Sequence, residues 1–89
     1  MKVKLVWSKR SMRRFRKLPL DVKEKLCERI KIFEKDPFDS RLKTHRLKGK
    51  LHGYFSFSLN YSYRVIFRTS DEYKNHFEII DIGTHSVYE

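Results

Sequence analysis

A single cysteine, Cys27, stands among 89 residues, so no internal disulfide can form, and a lone thiol fits a reducing cytoplasm. No pair of histidines is spaced for a helical or knuckle metal site and Cys27 has no partner thiol, so neither a metal nor a cofactor is expected. The three glycines, Gly49, Gly53 and Gly83, fit none of the phosphate-loop spacings, and no serine stands in a nucleophile-elbow context. No apolar run approaches the roughly 20 residues of a membrane span. The opening MKVKLVWSKR has a charged start, but its apolar stretch is too short for a secretory signal. Repeats and low-complexity segments are missing as well.

Acid is missing where it would be most useful. Residues 1–17 hold eight cations (Lys2, Lys4, Lys9, Arg10, Arg13, Arg14, Arg16, Lys17) and no carboxylate. A second cluster comprises Arg41, Lys43, Arg46, Lys48 and Lys50. Residues 1–50 carry 18 basic against 6 acidic side chains; residues 51–89 carry 3 against 5. A surface built only for solubility would intersperse both signs. Charge this one-sided repels itself until a polyanion, most simply nucleic acid, or an acidic protein partner neutralises it.

Enough apolar material is present for a core. Hydrophobic residues make up 39 % and aromatics 15 %, which rules out a disordered basic tail, and the length suits one domain over residues 1–89. Val3, Leu5 and Trp7 alternate as in a short strand, and Ser8 is placed to cap a following helix. Met12 and Phe15 give that helix a narrow apolar stripe. Pro19 then breaks it and opens a second helix, where Val22, Leu26, Ile30 and Phe33 follow helical spacing until Asp36-Pro37. Cys27 is expected to be a small buried hydrophobe on this helix. Residues 37–50 read as a polar, basic connection.

Beyond it the period changes to two. Phe55, Phe57 and Leu59 alternate with serines; Tyr63 to Arg68 forms a second strand after the Asn60-Tyr61-Ser62 turn; Phe77 to Ile82 forms a third, apolar on both faces and so interior to the sheet. Gly83 ends it. The order βααβββ predicts an α+β protein with two N-terminal helices on a mainly antiparallel sheet.

His45, Arg64, His85 and Tyr88 are the candidates for chemistry. Each also has a plain structural reading: a polar loop residue, an edge-strand cation, a strand-end cap, and a ring packed on the core. His52 and His76 read as surface residues. Three segments add weight to the chemical reading: Leu47-Lys-Gly-Lys-Leu-His-Gly-Tyr-Phe-Ser, Tyr63-Arg-Val-Ile-Phe, and Asp81-Ile-Gly-Thr-His. Together they resemble the RelE/ParE toxin superfamily over nearly the whole chain. His45 matches the place of a catalytic His in the YafQ branch and a catalytic Glu in the YoeB branch. Arg64 matches the phosphate-contacting Arg of the YoeB branch, and His85 the C-terminal catalytic His of both. Asp81 stands where the YafQ branch has an Arg.

The resemblance implies an endoribonuclease that cuts mRNA in the ribosomal A site without a metal. His45 would be the base taking the 2′-OH proton, Arg64 the clamp on the phosphoryl oxygens and His85 the acid for the departing 5′-oxygen, with the two histidine roles exchangeable. Lys48 and Lys50 would support the transition-state charge, and Tyr88 would stack on a base. Lys9, Arg10, Arg13, Arg14, Arg16, Lys17, Arg41, Lys43 and Arg46 would contact mRNA or ribosomal RNA. The implied partner is an antitoxin with an acidic neutralising segment. Two rivals are a ParE-like inhibitor of DNA gyrase, which would not need the His45, Arg64 and His85 set, and a non-catalytic RNA-binding module.

Overall fold

The chain opens with one strand and two successive helices, and strands follow from residue 45 onward. A computed structural model describes residues 3–84. In chain order the elements are β1 (Lys4–Trp7), α1 (Lys9–Arg16), α2 (Leu20–Lys35), β2 (His45–Arg46), β3 (Phe55–Ser58), β4 (Arg64–Thr69) and β5 (His76–Gly83), with single 3₁₀ turns at Ser40–Leu42 and Gly49–Leu51. The five strands form one sheet in the order β1-β5-β4-β3-β2. Only β1 and β5 pair in parallel; the other three pairings are antiparallel. No helix among the described residues is long and apolar enough to cross a membrane.

Helix boundaries follow the local chemistry. Ser8 caps α1, its hydroxyl oxygen accepting from the Ser11 amide at 3.0 Å. Pro19, which has no N–H to lose, precedes α2, and Asp21 lies in the first turn near the positive end of the helix. Asp36, in extended conformation, ends it before Pro37. Val22, Leu26 and Phe33 are buried at the expected spacing. Phe33 is the centre of the core: its ring lies 4.9 Å from Phe67, 5.4 Å from Phe77 and 5.5 Å from Phe57, drawing on three strands at once. Such a ring is worth about 1.5–3 kcal/mol in transfer from water alone.

The sheet has two unlike faces. Paired residues on adjacent strands project to the same side, so Phe57, Val65 and Ile82 form one row under α2, while His45, Ser56, Ile66 and Asp81 form a row on the opposite side. A register shift between Ile66 and Phe67 makes Ile80 an extra residue of β5. This bulge changes the parity, and it allows Ile79 and Ile82, three positions apart, both to be fully buried. It also falls where β1 ends. Just past Trp7 the Ile79 carbonyl accepts from the Ser8 amide at 3.0 Å and the Ile80 carbonyl from Ser8 Oγ at 2.9 Å, while Ser11 Oγ lies between the carbonyls of Ser8 at 2.8 Å and Ile79 at 3.1 Å.

Four expectations need correction. Helix α1 meets β5 through the fully buried Ser11 and not through a Met12–Phe15 stripe, because a hydroxyl can bond a sheet carbonyl and a thioether cannot; Met12 is exposed and Phe15 half-buried against the edge of Trp7. Cys27 is exposed, one step around α2 from Leu26. The connection 37–50 is not merely polar: Leu42 is fully buried, and His45–Arg46 adds an edge strand against β3. The fourth strand starts at Arg64 and not at Tyr63, since Asn60 Oδ1 holds the Ser62 and Tyr63 amides in the turn at 2.9 and 2.8 Å.

Candidate functional site

His45 opens β2 and is exposed; its Nδ1 lies 3.2 Å from the Lys43 carbonyl. Across the sheet His45 pairs with Ser56 on β3, while Arg64 pairs with Ser58. The imidazole and the guanidinium therefore belong to the same face. They are separated by two strand spacings and two residues, roughly 12 Å between Cα atoms.

Arg64 is half-buried and anchored. Its Nη1 donates to the Asn60 carbonyl at 2.9 Å and to its neighbour Tyr63 at 3.3 Å, which fixes the guanidinium beside the β3–β4 turn. There it lines a hollow of about 410 Å³ shared with Arg29, Arg41, Lys43, Ser58, Leu59, Asn60 and Tyr61. Among the described residues no carboxylate lines this hollow. On its other side Arg64 pairs with Gly83 of β5, one residue before the last described position. His85 and Tyr88 lie outside the described residues.

Lys48 and Lys50 are exposed, at the Gly49–Leu51 turn of the β2–β3 connection. The turn joins the Arg46–Phe55 end of that hairpin, whereas Arg64 lies beside the Ser58 end. The structure thus groups Arg64 with Arg41 and Lys43, places His45 beside them, and keeps the two lysines at the far end of β3.

The predicted basic surface is partly neutralised from within. Lys9, Arg10, Arg13, Arg14, Arg16 and Lys17 are all exposed. Arg10 and Arg14 nevertheless flank the nearly buried Asp81, at 3.8 and 3.5 Å. Asp81 Oδ1 also accepts from the Ile82 amide at 2.9 Å. Arg41 grips Asp39 with two nitrogens at 3.0 and 2.9 Å, and the Asp39 carboxylate also accepts from the Arg41 amide. These bonds to the Arg41 side chain and backbone lower the Asp39 pKa to about 2. Arg46 stands over the Phe55 ring at 5.5 Å. Among the described residues no group of three or more His, Cys, Asp or Glu is placed to hold a metal ion.

Sequence reasoning missed Arg29. It stands three residues after Leu26 and four before Phe33, within the buried stripe of α2, where a cation is out of pattern. That was the available signal. Its Nη1 donates to the Arg41 carbonyl at 3.0 Å, while its buried Nε has no hydrogen-bond partner.

A helical pair on a five-stranded sheet, with a cationic hollow at the β3–β4 turn, has close structural counterparts. A YoeB/ParE toxin from Agrobacterium tumefaciens matches with a TM-score of 0.79 and 27 % identity, over 93 % of this chain and 99 % of that one. The RelBE2 toxin–antitoxin complex from Mycobacterium tuberculosis contains a chain matching at 0.77 and 21 % identity, over 96 % and 100 %. A chain of the archaeal RelE–RelB complex from Pyrococcus horikoshii matches at 0.75 and 18 % identity, over 94 % and 96 %. No family model matches the chain, and no curated protein matches it significantly. The architecture is that of the small α+β toxins, and the resemblance to the RelE/ParE toxin superfamily is supported over more than nine-tenths of the chain.

Proposed function

We propose that the chain is the toxin of a toxin–antitoxin pair and acts as an mRNA endoribonuclease on the ribosome. The observation that carries this reading is the arrangement of His45 and Arg64 on one face of the sheet, with Arg64 at the edge of a cationic hollow whose described lining holds no carboxylate. Such a surface suits a phosphodiester and repels few other parts of it.

In the proposed reaction His45 takes the proton of a ribose 2′-OH, whose oxygen bonds to the adjacent phosphorus. The bond from phosphorus to the 5′-oxygen breaks, and His85 supplies the proton that this oxygen needs to leave. A 2′,3′-cyclic phosphate remains on the upstream fragment. Arg64 bears the charge that builds on the phosphoryl oxygens, and its anchoring at Asn60 and Tyr63 means that little reorganisation accompanies the reaction. General acid–base contributions of this kind are worth roughly 10²–10⁴-fold each. Lys48 and Lys50 act from the loop if the RNA crosses β3 lengthwise, and Tyr88 stacks on a base.

The partner is an antitoxin whose acidic segment covers the basic surface; similar chains have been solved in toxin–antitoxin complexes, among them RelE–RelB and YoeB–YefM. Ribosomal RNA is the second partner, held by the exposed cations of α1, so ribosome binding falls steeply with salt.

Primer extension on mRNA from induced cells tests the proposal. Discrete cut sites that vanish in His45→Ala and in His85→Ala, with folding intact by circular dichroism, are expected. Uncut mRNA together with altered plasmid supercoiling would transfer the protein to the gyrase-directed class.

A further inference from the structure

The hollow beside Arg64 contains more positive charge than one scissile phosphate requires. Arg29 reaches it from α2, where its Nη1 donates to the Arg41 carbonyl, and Lys43 reaches it from the turn before β2. A buried guanidinium nitrogen without a partner is costly, and the Arg29 Nε has none among the described residues. An anion seated nearby would relieve both the charge repulsion and part of that cost. At the rim stands Tyr61, whose side chain is almost wholly in water, at 95 % relative exposure. It is not on a floppy segment, because Asn60 Oδ1 bonds the two amides that follow it and Asn60 also supplies the carbonyl that anchors Arg64. An aromatic ring held in solvent beside a cluster of cations is the pairing that single-stranded nucleic acid uses, base on ring and phosphate on cations. A duplex offers no free base face to such a ring. The volume, about 410 Å³, falls within the range of roughly 300–1,000 Å³ typical of small-ligand sites.

We propose that this hollow is a second nucleotide subsite for single-stranded RNA: Arg29 and Lys43 hold the backbone phosphate neighbouring the one at Arg64, and Tyr61 stacks the attached base. The proposal rests on the ribonuclease reading for the position of the scissile phosphate, and it names the residues that fix the register of the strand. Arg41 is a lesser contributor, since Asp39 already occupies two of its nitrogens.

The test uses a short fluorescently labelled RNA, 2′-O-methylated throughout so that it cannot be cut, and measures its dissociation constant against salt concentration. Tyr61→Ala should weaken binding roughly 5- to 100-fold with no change in melting temperature, and Tyr61→Phe should restore it. Arg29→Gln combined with Lys43→Gln should lower the magnitude of the salt slope by about 1.4. If Arg29→Gln prevents folding, Lys43→Gln alone should lower it by about 0.7. An affinity and a slope that none of these changes moves would overturn the proposal. A parallel assay of cleavage on unmodified RNA separates it from the reading on which it rests. Binding that depends on Tyr61 and Lys43 without cleavage keeps the subsite and removes the nuclease. Cleavage whose KM ignores Tyr61→Ala keeps the nuclease and removes the subsite.

Discussion

Arg14 Nε lies 3.5 Å from Asp81 Oδ1, so a cation from the acid-free start of the chain rests on a carboxylate of its last strand. Together with Arg10 at 3.8 Å, this contact ties α1 to β5 and removes part of the charge available to a polyanion. Asp81→Asn should therefore act in two directions. Thermal unfolding should show a loss of about 1 kcal/mol, modest because both guanidinium groups are at least half-exposed. Affinity for RNA at low salt should rise, with a steeper salt dependence.

At the proposed clamp, charge and geometry can be separated. Arg64→Lys keeps the cation but cannot reproduce a guanidinium anchored at two carbonyls. Turnover should fall about 10- to 100-fold in Arg64→Lys and by a further factor of about 10 in Arg64→Ala, with melting temperatures within a few degrees. Equal rates for all three proteins in a single-turnover cleavage assay would remove Arg64 from the site.

The acid limb of stability has an identifiable contributor. The Asp39 pKa is lowered to about 2 from an ordinary 3.8, so the folded state holds the carboxylate ionised. The sign follows: its stabilising contribution is complete above the unfolded value and is lost as pH falls from about 4 towards 2. Carbon-detected NMR titration of the side chain should show the low midpoint, and Arg41→Gln should return it towards 3.8.

For the core, Phe33→Ala should cost about 3–5 kcal/mol in urea unfolding, since three strands contribute rings to its contacts. Phe33→Leu should cost less than half of that. The small exposed neighbour site Cys27 should react with a thiol reagent at full rate in the native protein.

Most of the architecture was readable from periodicity. The stripe Val22, Leu26, Phe33 located α2, and the alternation around Phe57 and Val65 located β3 and β4. What escaped was set by contacts between distant segments. A two-residue strand such as His45–Arg46 has no period to detect, and its pairing with β3 decides it. Ser11 looks polar in sequence and is buried because its hydroxyl is satisfied where α1 crosses β5, between the carbonyls of Ser8 and Ile79. The parallel pairing of β1 is likewise invisible to local pattern. At the site, His45 and Arg64 could be named from sequence, whereas Arg29 and Tyr61 could be grouped with them only once α2 and the β3–β4 turn were placed.

Because β1 finds its neighbour in β5, with Leu5 beside Phe77, the first strand has nothing to pair with until the last has been synthesised. A ribosome translating this chain leaves its amino-terminal strand unmatched for some seventy codons, and closure over so long a separation is entropically slow. Products terminated before β5 keep only the β2–β3–β4 pairings and leave β1 without a neighbour. The completed five-stranded sheet, with β1 seated beside β5, is thus deferred to the final moments of synthesis.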